Sequence, residues 1–443
     1  MDKLIRYTVS VHEPEEGALL LYNTMNGALL RLSEPGLKQA AEDIISSGNV
    51  ADETPPKLVK ALREKLFLIP SKTDEGALAR FRYLESYTQC RTLSFLVYVT
   101  DACNFRCVYC PEAHLPRKMS VAEADHFCEE VERSLLSAHY EGLSLSWFGG
   151  EPLLNLPIIK RVMERLSIFC TEHGLSLQGG ATTNGSLLTE ENVSTLLRLG
   201  VNQFQITLDG LAETHDLTRP YANGDGSWAD VWNNLRGLSA RSENFQVILR
   251  INANEANAES AKSLILLAEK SLDRRFRITI QPISDMGGDP NCNEYCDLKE
   301  GQRIQLALSD YLDLHSTSGI GRISTQLAPF GLTCNSARPN YYIVRTDGGI
   351  AKCELNTENS DAVLLEPGGK HMDEVLLAQY VTPSTGACES CRIYPLCFGL
   401  ICPYKRVKGI SCTYAESFLL EESILLLAKH MRRMSERSDW NER

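Results

Sequence analysis

The chain has 443 residues, in which 45 Lys and Arg stand against 57 Asp and Glu for a net charge of −12. At about 150 residues per domain, this length gives two or three domains with material for their own cores and excludes a short disulfide-held scaffold. The acidic balance argues against a nucleic-acid partner, because phosphate binding needs clustered Lys and Arg. The unusual count is cysteine, with 15 residues, for which disulfides, zinc and iron-sulfur clusters are the three explanations. The opening Met1-Asp-Lys-Leu-Ile-Arg-Tyr-Thr8 has no apolar run of the secretory kind, and no stretch reaches the apolar length of a membrane helix. A reducing, cytoplasmic setting without a membrane partner is therefore expected, and there disulfides are the weakest of the three explanations.

In chain order, Ile5–Ser10, Ala18–Tyr22 and Gly27–Leu32 read as three short strands, with Asn26-Gly27 as a hairpin turn between the last two. A helix over Leu37–Ile45 follows, then Pro55-Pro56 opens a second through Leu66, ahead of the apolar Leu66–Ile69. Three strands followed by helices within residues 1–88 predict a winged-helix-like domain. It lacks a basic stripe and is suited to binding a peptide by adding a strand to its sheet edge.

From residue 92 onward, strand-like and helix-like segments alternate. The strands are Leu93–Thr100, Leu143–Phe148, Leu175–Thr183, Gln203–Leu208, Phe245–Ile251 and Phe276–Gln281. Between them lie helices over Ser120–Leu136, which Ser120 and Glu123 open as a capping box, and over Pro157–Cys170, Glu190–Leu199, Trp228–Leu238 and Ala258–Leu272. Six strands in βα order predict an α/β fold with parallel strands and right-handed crossovers over residues 89–315, as an open doubly wound sheet or a complete or partial barrel. Residues 316–443 are rich in Cys, Gly and Pro, with few continuous apolar runs before a helix over Glu416–Met431. Metal sites are expected to hold this segment together, and Arg432–Arg443 to fray.

Ten cysteines fall into two clusters: Cys103, Cys107 and Cys110, then Cys334, Cys353, Cys388, Cys391, Cys397, Cys402 and Cys412. Cys90, Cys128, Cys170, Cys292 and Cys296 lie apart, and Cys128 and Cys170 read as small hydrophobes buried in helices. Cys103-Asn-Phe-Arg-Cys107-Val-Tyr-Cys110 directly follows the first βα strand, where the loops of parallel folds gather ligands. Three thiolates on so short a loop can cap three irons of a cubane and leave the fourth iron free to bind another group. With His114 as a fourth ligand, the same knot could hold zinc instead.

This Cys-x3-Cys-x2-Cys pattern resembles the signature of the radical S-adenosylmethionine (SAM) enzymes, with Tyr109 at the position that packs near the adenine. Gly149-Gly150-Glu151-Pro152, ending the second strand, resembles the segment that holds the methionyl ammonium of SAM, a task for which two glycines allow close backbone approach. Thr183-Asn184-Gly185 ends the third strand and Asp209-Gly210 the fourth. His215-Asp-Leu-Thr-Arg219 resembles the stretch whose Arg pairs with the SAM carboxylate, although a surface ion pair is the alternative. Arg250 and Asn252, at the fifth strand end, are candidates for the same pocket or for structural roles. The resemblance covers residues 92 to about 315 and implies a partial (β/α)6 radical SAM barrel. The implied chemistry is reductive cleavage of SAM to a 5′-deoxyadenosyl radical that abstracts a substrate hydrogen.

The second cysteine cluster resembles the SPASM domain, which carries two auxiliary 4Fe-4S clusters and brings the implied total to three. Four residues separate Cys397 from Cys402 where the usual pattern has three. The resemblance implies Cys388, Cys391, Cys397 and Cys412 for the outer cluster, and Cys334, Cys353 and Cys402 for the inner one. The last inner iron is then either open to a substrate thiolate or filled by Cys292 or Cys296. Glu354 matches a carboxylate that serves as general base in sulfatase-maturing relatives, with tuning of the cluster as the other reading. Radical SAM plus SPASM, behind an N-terminal module like this one, resembles the maturases of ribosomally made peptides. The implied partners are a precursor peptide, its leader on the N-terminal domain and its core in the barrel, and a reductant such as ferredoxin or flavodoxin. The implied product is an intramolecular crosslink, a thioether first and a carbon-carbon bond second. Formylglycine formation on a sulfatase is the alternative enzyme, and a noncatalytic iron-sulfur carrier or scaffold the alternative of another class.

Overall fold

The architecture is that of a computed structural model, in which residues 2–89, 91–137, 139–283, 298–316 and 326–441 are described. Cys90, Cys292 and Cys296 lie outside the described residues, and with them the question of a fourth inner-cluster cysteine. The chain forms two compact units, one from Met1–Gln89, Thr325–Ala337 and Val381–Arg443, the other from Cys90–Ser324 and Arg338–Tyr380.

The first unit contains strands β1 (Asp2–Leu4), β2 (Thr8–His12), β3 (Leu19–Asn23), β4 (Ala28–Leu32) and β5 (Leu68–Pro70). β2, β3 and β4 form an antiparallel meander, while β1 pairs with β5. Asn23 pairs with Ala28, so Asn26-Gly27 closes a four-residue loop rather than forming a two-residue hairpin turn. Helices Pro35–Ser47 and Pro56–Glu64 match the expected ones, and Glu75–Thr88 is an additional helix capped by Asp74, which accepts from the Ala77 N–H. Its apolar periodicity is blurred because Phe81 and Leu84 are exposed, at 59% and 58%.

The continuous run Leu19-Leu-Leu-Tyr22 has a physical reason, since β3 is covered on both faces. Leu19 and Leu21 pack with Ile44, Leu58, Leu62 and Phe67 from the helical side. Leu20 and Tyr22 join Val9 and Val11 in a second core with Leu396, Phe418 and Ile424 from the C-terminal segment. Tyr394, Phe398 and Leu400 share a third with Ile5, Tyr7 and Tyr83. Beside the metal sites expected to hold the C-terminal segment there is thus an apolar contribution that the sequence hid: apolar residues isolated in sequence converge on the N-terminal strands. The last helix, Leu420–Asn441, starts later than predicted and continues through the stretch expected to fray, with Arg432 Nη2 3.0 Å from the buried Glu13.

The second unit is built on β6 (Thr92–Thr100), β7 (Gly142–Gly149), β8 (Ser176–Thr183), β9 (Val201–Thr207), β10 (Gln246–Ala253) and β11 (Phe276–Pro282). All are parallel and neighbour one another in chain order, without the reversal of a doubly wound sheet, which makes the unit a partial barrel. Ser120 and Glu123 form the expected capping box, with Ser120 N donating to Glu123 Oε2 at 2.6 Å and Glu123 N to Ser120 Oγ at 3.3 Å. The sheet also extends beyond the six predicted strands. β12 (Tyr341–Val344) lies parallel to β6, and β13 (Ile350–Ala351) and β14 (Val363–Leu365) continue antiparallel. Trp147, Val97, Leu145, Ile206, Leu249 and Ile278 are fully buried and share one face of the sheet, while Ser144, Ser146, Gln205 and Arg250 on the opposite face are only half-buried.

Candidate active site at the carboxyl ends of the barrel strands

The loop carrying Cys103, Cys107 and Cys110 leaves the end of β6 and is fixed by the backbone around it. Arg106 N donates to Pro220 O (2.9 Å), Val108 N to Thr218 O (3.0 Å) and Ala222 N to Asn104 O (2.8 Å). Burial pushes the Cys103 and Cys110 thiols up, to about 11 and about 12, and raises Cys107 as well. The three thiols are also close enough that charge on one opposes charge on the others. Iron binding must therefore displace their protons. Among the described residues no three His, Cys, Asp or Glu converge on one ion-sized point, and a cubane with one thiolate per iron needs no such convergence.

Gly149 and Gly150 bring the end of β7 against this loop. Gly149 has φ +121°, and a Cβ there would collide with the Thr100 carbonyl, as one on Gly150 would with that of Ala102. Gly150 N and Glu151 N donate to Thr100 O and Ala102 O, both at 2.9 Å. The fully buried Glu151 carboxylate accepts from Thr183 Oγ1 (2.7 Å), Asn184 N (2.8 Å) and Leu153 N (3.1 Å). In this structure it clasps the ends of β7 and β8 together. Asn184 Nδ2 then donates to Asn104 Oδ1 at 2.7 Å and approaches Cys103 Sγ at 4.0 Å.

Tyr109, Arg219 and Asn252 meet at the Tyr109 hydroxyl, which also reaches Asp209. The Tyr109 hydroxyl donates to Asp209 Oδ2 (2.7 Å) and accepts from Arg219 Nη1 (2.8 Å) and Asn252 Nδ2 (2.9 Å). Thr218 Oγ1 donates to the same Asp209 oxygen at 2.9 Å, and Arg250 Nε to Asn252 Oδ1 at 2.7 Å. Burial raises the Asp209 carboxyl above its usual range against the pull of Arg219. Two atoms of this buried network, Asp209 Oδ1 and Arg219 Nε, have no well-formed hydrogen bond, the Asn252 backbone giving Asp209 a weaker interaction. Unpaired buried groups of opposite polarity mark a place where a polar ligand would restore the missing bonds.

Glu354 follows β13, where its Oε1 accepts from the Tyr341 hydroxyl (2.8 Å) and its carbonyl from the Tyr98 hydroxyl (2.8 Å). Burial raises its carboxyl, opposed by Tyr341 and by the charge of Arg250. Glu112, which no motif singles out, stands beside it: Tyr98 also lies 3.4 Å from Glu112 Oε1, and burial lifts that carboxyl to about 7. Asp209 had a signal in its position at a strand end, whereas Glu112 is found only through the fold.

The radical SAM superfamily model matches residues 97–259. GTP 3′,8-cyclase from Clostridium botulinum is 34% identical over 294 residues, which cover 61% of this chain and 85% of that protein. This chain belongs to the radical SAM superfamily. Its fold is similar to that of anSMEcpe solved with AdoMet and the Kp18Cys peptide, with a TM-score of 0.57 at 16% identity over 77% of this chain and 99% of that one. It is also similar to Streptococcus suis SuiB bound to precursor peptide SuiA, with a TM-score of 0.50 at 14% identity over 90% and 95% of the two chains. The superfamily implies a 4Fe-4S cluster and SAM. The three-thiol loop fits the first, and the unpaired Asp209 and Arg219 atoms fit a zwitterionic ligand such as the second.

In the first unit of this radical SAM protein, Cys388, Cys391, Cys397 and Cys412 gather into one electrostatically coupled set. Burial pushes Cys397 up to about 12, while Cys412 is exposed. The turn after Cys397 places Phe398 at φ +52°, a left-handed conformation unusual for a bulky residue, and directs the Gly399 N–H to Cys397 Sγ at 3.4 Å. Cys334 and Cys402 lie in the same unit, whereas Cys353 follows β13 in the barrel unit and accepts from Asn356 Nδ2 at 3.6 Å. Among the described residues, no helix is long and apolar enough to cross a membrane.

Proposed function

We propose that this radical SAM enzyme is a maturase that installs an intramolecular crosslink, most readily a thioether, in a ribosomally made precursor peptide. The observation that carries the reading is the unpaired edge of the β2-β3-β4 sheet, whose β4 is half-buried. β4 ends that sheet with no further strand beside it among the described residues, and an unpaired strand edge is a template for an added peptide strand. Two solved structures of similar fold hold peptides, which supports a peptide partner here.

In this reading Cys103, Cys107 and Cys110 hold the SAM-cleaving cluster, and Arg219 takes the SAM carboxylate. Gly149, Gly150 and Glu151 shape the ammonium side, while Thr183, Asn184, Tyr109, Arg250 and Asn252 line the remaining walls. When bound, the cluster supplies the electron for reductive SAM cleavage, with ferredoxin or flavodoxin as the class of donor. Cys388, Cys391, Cys397 and Cys412 hold an outer auxiliary cluster and Cys334, Cys353 and Cys402 an inner one. Glu354 is, in this reading, the base that accepts a proton from the substrate. Oxidation of a sulfatase residue to formylglycine is the second reading, favoured by the fold likeness to anSMEcpe.

The test is anaerobic incubation of reconstituted enzyme with SAM, a reductant and, where a neighbouring gene encodes a short Cys-containing peptide, that peptide. A loss of two hydrogens from the peptide together with 5′-deoxyadenosine is expected. Glu354→Gln should keep the deoxyadenosine while the crosslink yield falls. No deoxyadenosine above the Cys103→Ala control would end the enzyme reading.

A further inference from the structure

The helix Ala212–Thr218 contains one fully buried histidine whose ring makes no hydrogen bond to the side chains of the proposed ligands. His215 Nδ1 accepts from the Asp209 N–H at 3.2 Å. Its other nitrogen lies 3.1 Å from Ser227 Oγ, and that hydroxyl donates to the Arg219 carbonyl at 2.6 Å. These directions require a neutral ring with its proton on Nε2, where it donates to Ser227. Burial, reinforced by the Arg219 charge, holds the ring near that state by pushing its pKa down to about 2. A second tie runs along the backbone, with Arg219 N donating to His215 O at 2.8 Å.

The imidazole therefore bridges the two chain segments whose side chains carry the unpaired buried atoms, Asp209 Oδ1 and Arg219 Nε. We propose that His215 is a positioning residue for SAM: through the Asp209 amide on one side and Ser227 on the other, it sets the separation of the Asp209 carboxylate and the Arg219 guanidinium that would receive the cofactor. Neighbouring side chains serve the same framework. Asp216 Oδ1 accepts from Ser227 N and Trp228 N, both at 2.8 Å, which anchors Ser227 at the start of the next helix. The inference rests on the reading of Arg219 as the SAM partner.

The experiment uses full-length, anaerobically reconstituted protein and measures SAM affinity by equilibrium dialysis, alongside iron per chain and thermal midpoint. His215→Phe fills the space but removes both hydrogen bonds, and it should weaken SAM binding by about 10- to 100-fold with iron content kept. Ser227→Ala, which breaks only the Arg219 side, should give a smaller loss. His215→Gln, which retains an acceptor and a donor, should restore part of the affinity. Arg219→Met is the control for the underlying reading. If Arg219→Met loses SAM while His215→Phe and Ser227→Ala bind it like wild type, the positioning role is overturned and the SAM reading stands. If Arg219→Met binds SAM normally, the SAM reading itself falls. Should His215→Phe fold poorly, Ser227→Ala decides, and unchanged affinity in that variant overturns the inference.

Discussion

The two cysteine groups are built on opposite principles. The Cys103–Cys110 loop rests on a large barrel core to which it adds the fully buried Phe105, and backbone hydrogen bonds to residues 218, 220 and 222 hold it in place. The Cys388–Cys412 group sits among short helices and turns whose apolar residues reach a core only by packing on the N-terminal strands. A metal on the first loop would be carried by an extensive scaffold, whereas one on the proposed second site would also tether chain that has little regular structure of its own.

This contrast can be broken by removing cysteines in turn. Replacing Cys103, Cys107 and Cys110 by Ala should have the largest effect on activity and the smallest on folding. Deoxyadenosine formation should fall to background and about four irons per chain be lost, while circular dichroism and the thermal midpoint stay near wild type. Cys391→Ala with Cys397→Ala should again remove about four irons. Here the first unit should lose about 3 kcal/mol, seen as faster proteolysis of the N-terminal and C-terminal segments with the barrel intact. Equal destabilisation by the two sets would erase the distinction.

A third variant tests the first unit without touching a thiol. Glu75 is buried, its carboxylate 2.8 Å from Lys3 Nζ and 2.7 Å from Arg6 Nε, and it accepts from the Arg6 N–H at 2.9 Å. Burial pushes the carboxyl up, but Lys3 and Arg6 outweigh it and the net shift is downward. The stabilisation is then complete above the unfolded value of about 4.3 and is lost as pH falls through the lower folded value. Glu75→Gln should cost about 2 kcal/mol near neutrality and flatten that acid limb in denaturant titrations. An unchanged limb would place the acid sensitivity elsewhere.

The parts legible in sequence are those where one local pattern decides. The six parallel strands announce themselves as short apolar runs separated by helix patterns, and the Cys103 loop by its spacing. What stayed hidden depends on distant chain. Leu19-Leu-Leu-Tyr22 reads as a strand, but that both of its faces are covered follows only from residues 396–424 returning to it. β12 to β14 are too short to register, and Glu75–Thr88 hides behind its exposed Phe81 and Leu84. In the site, Tyr109, Glu151 and Arg219 are recognisable by motif. The Tyr109 hydroxyl as the junction of Asp209, Arg219 and Asn252, His215 behind it and Glu112 beside Glu354 emerge only when strand ends are brought side by side.

The shared core of the first unit also dictates a timetable. Tyr7 donates to the Glu389 carbonyl across 382 positions of sequence, so the early strands are synthesised long before the chain that covers them. At about 5–20 residues per second, that interval is roughly 20 to 80 s. During it the barrel, encoded in between, can fold around its own core while Ile5, Val9, Val11 and Leu20 still present an uncovered face. Assembly of the Cys388–Cys412 group follows synthesis of the barrel, and a ribosome stalled within residues 384–443 would hold a folded barrel attached to a half-built companion.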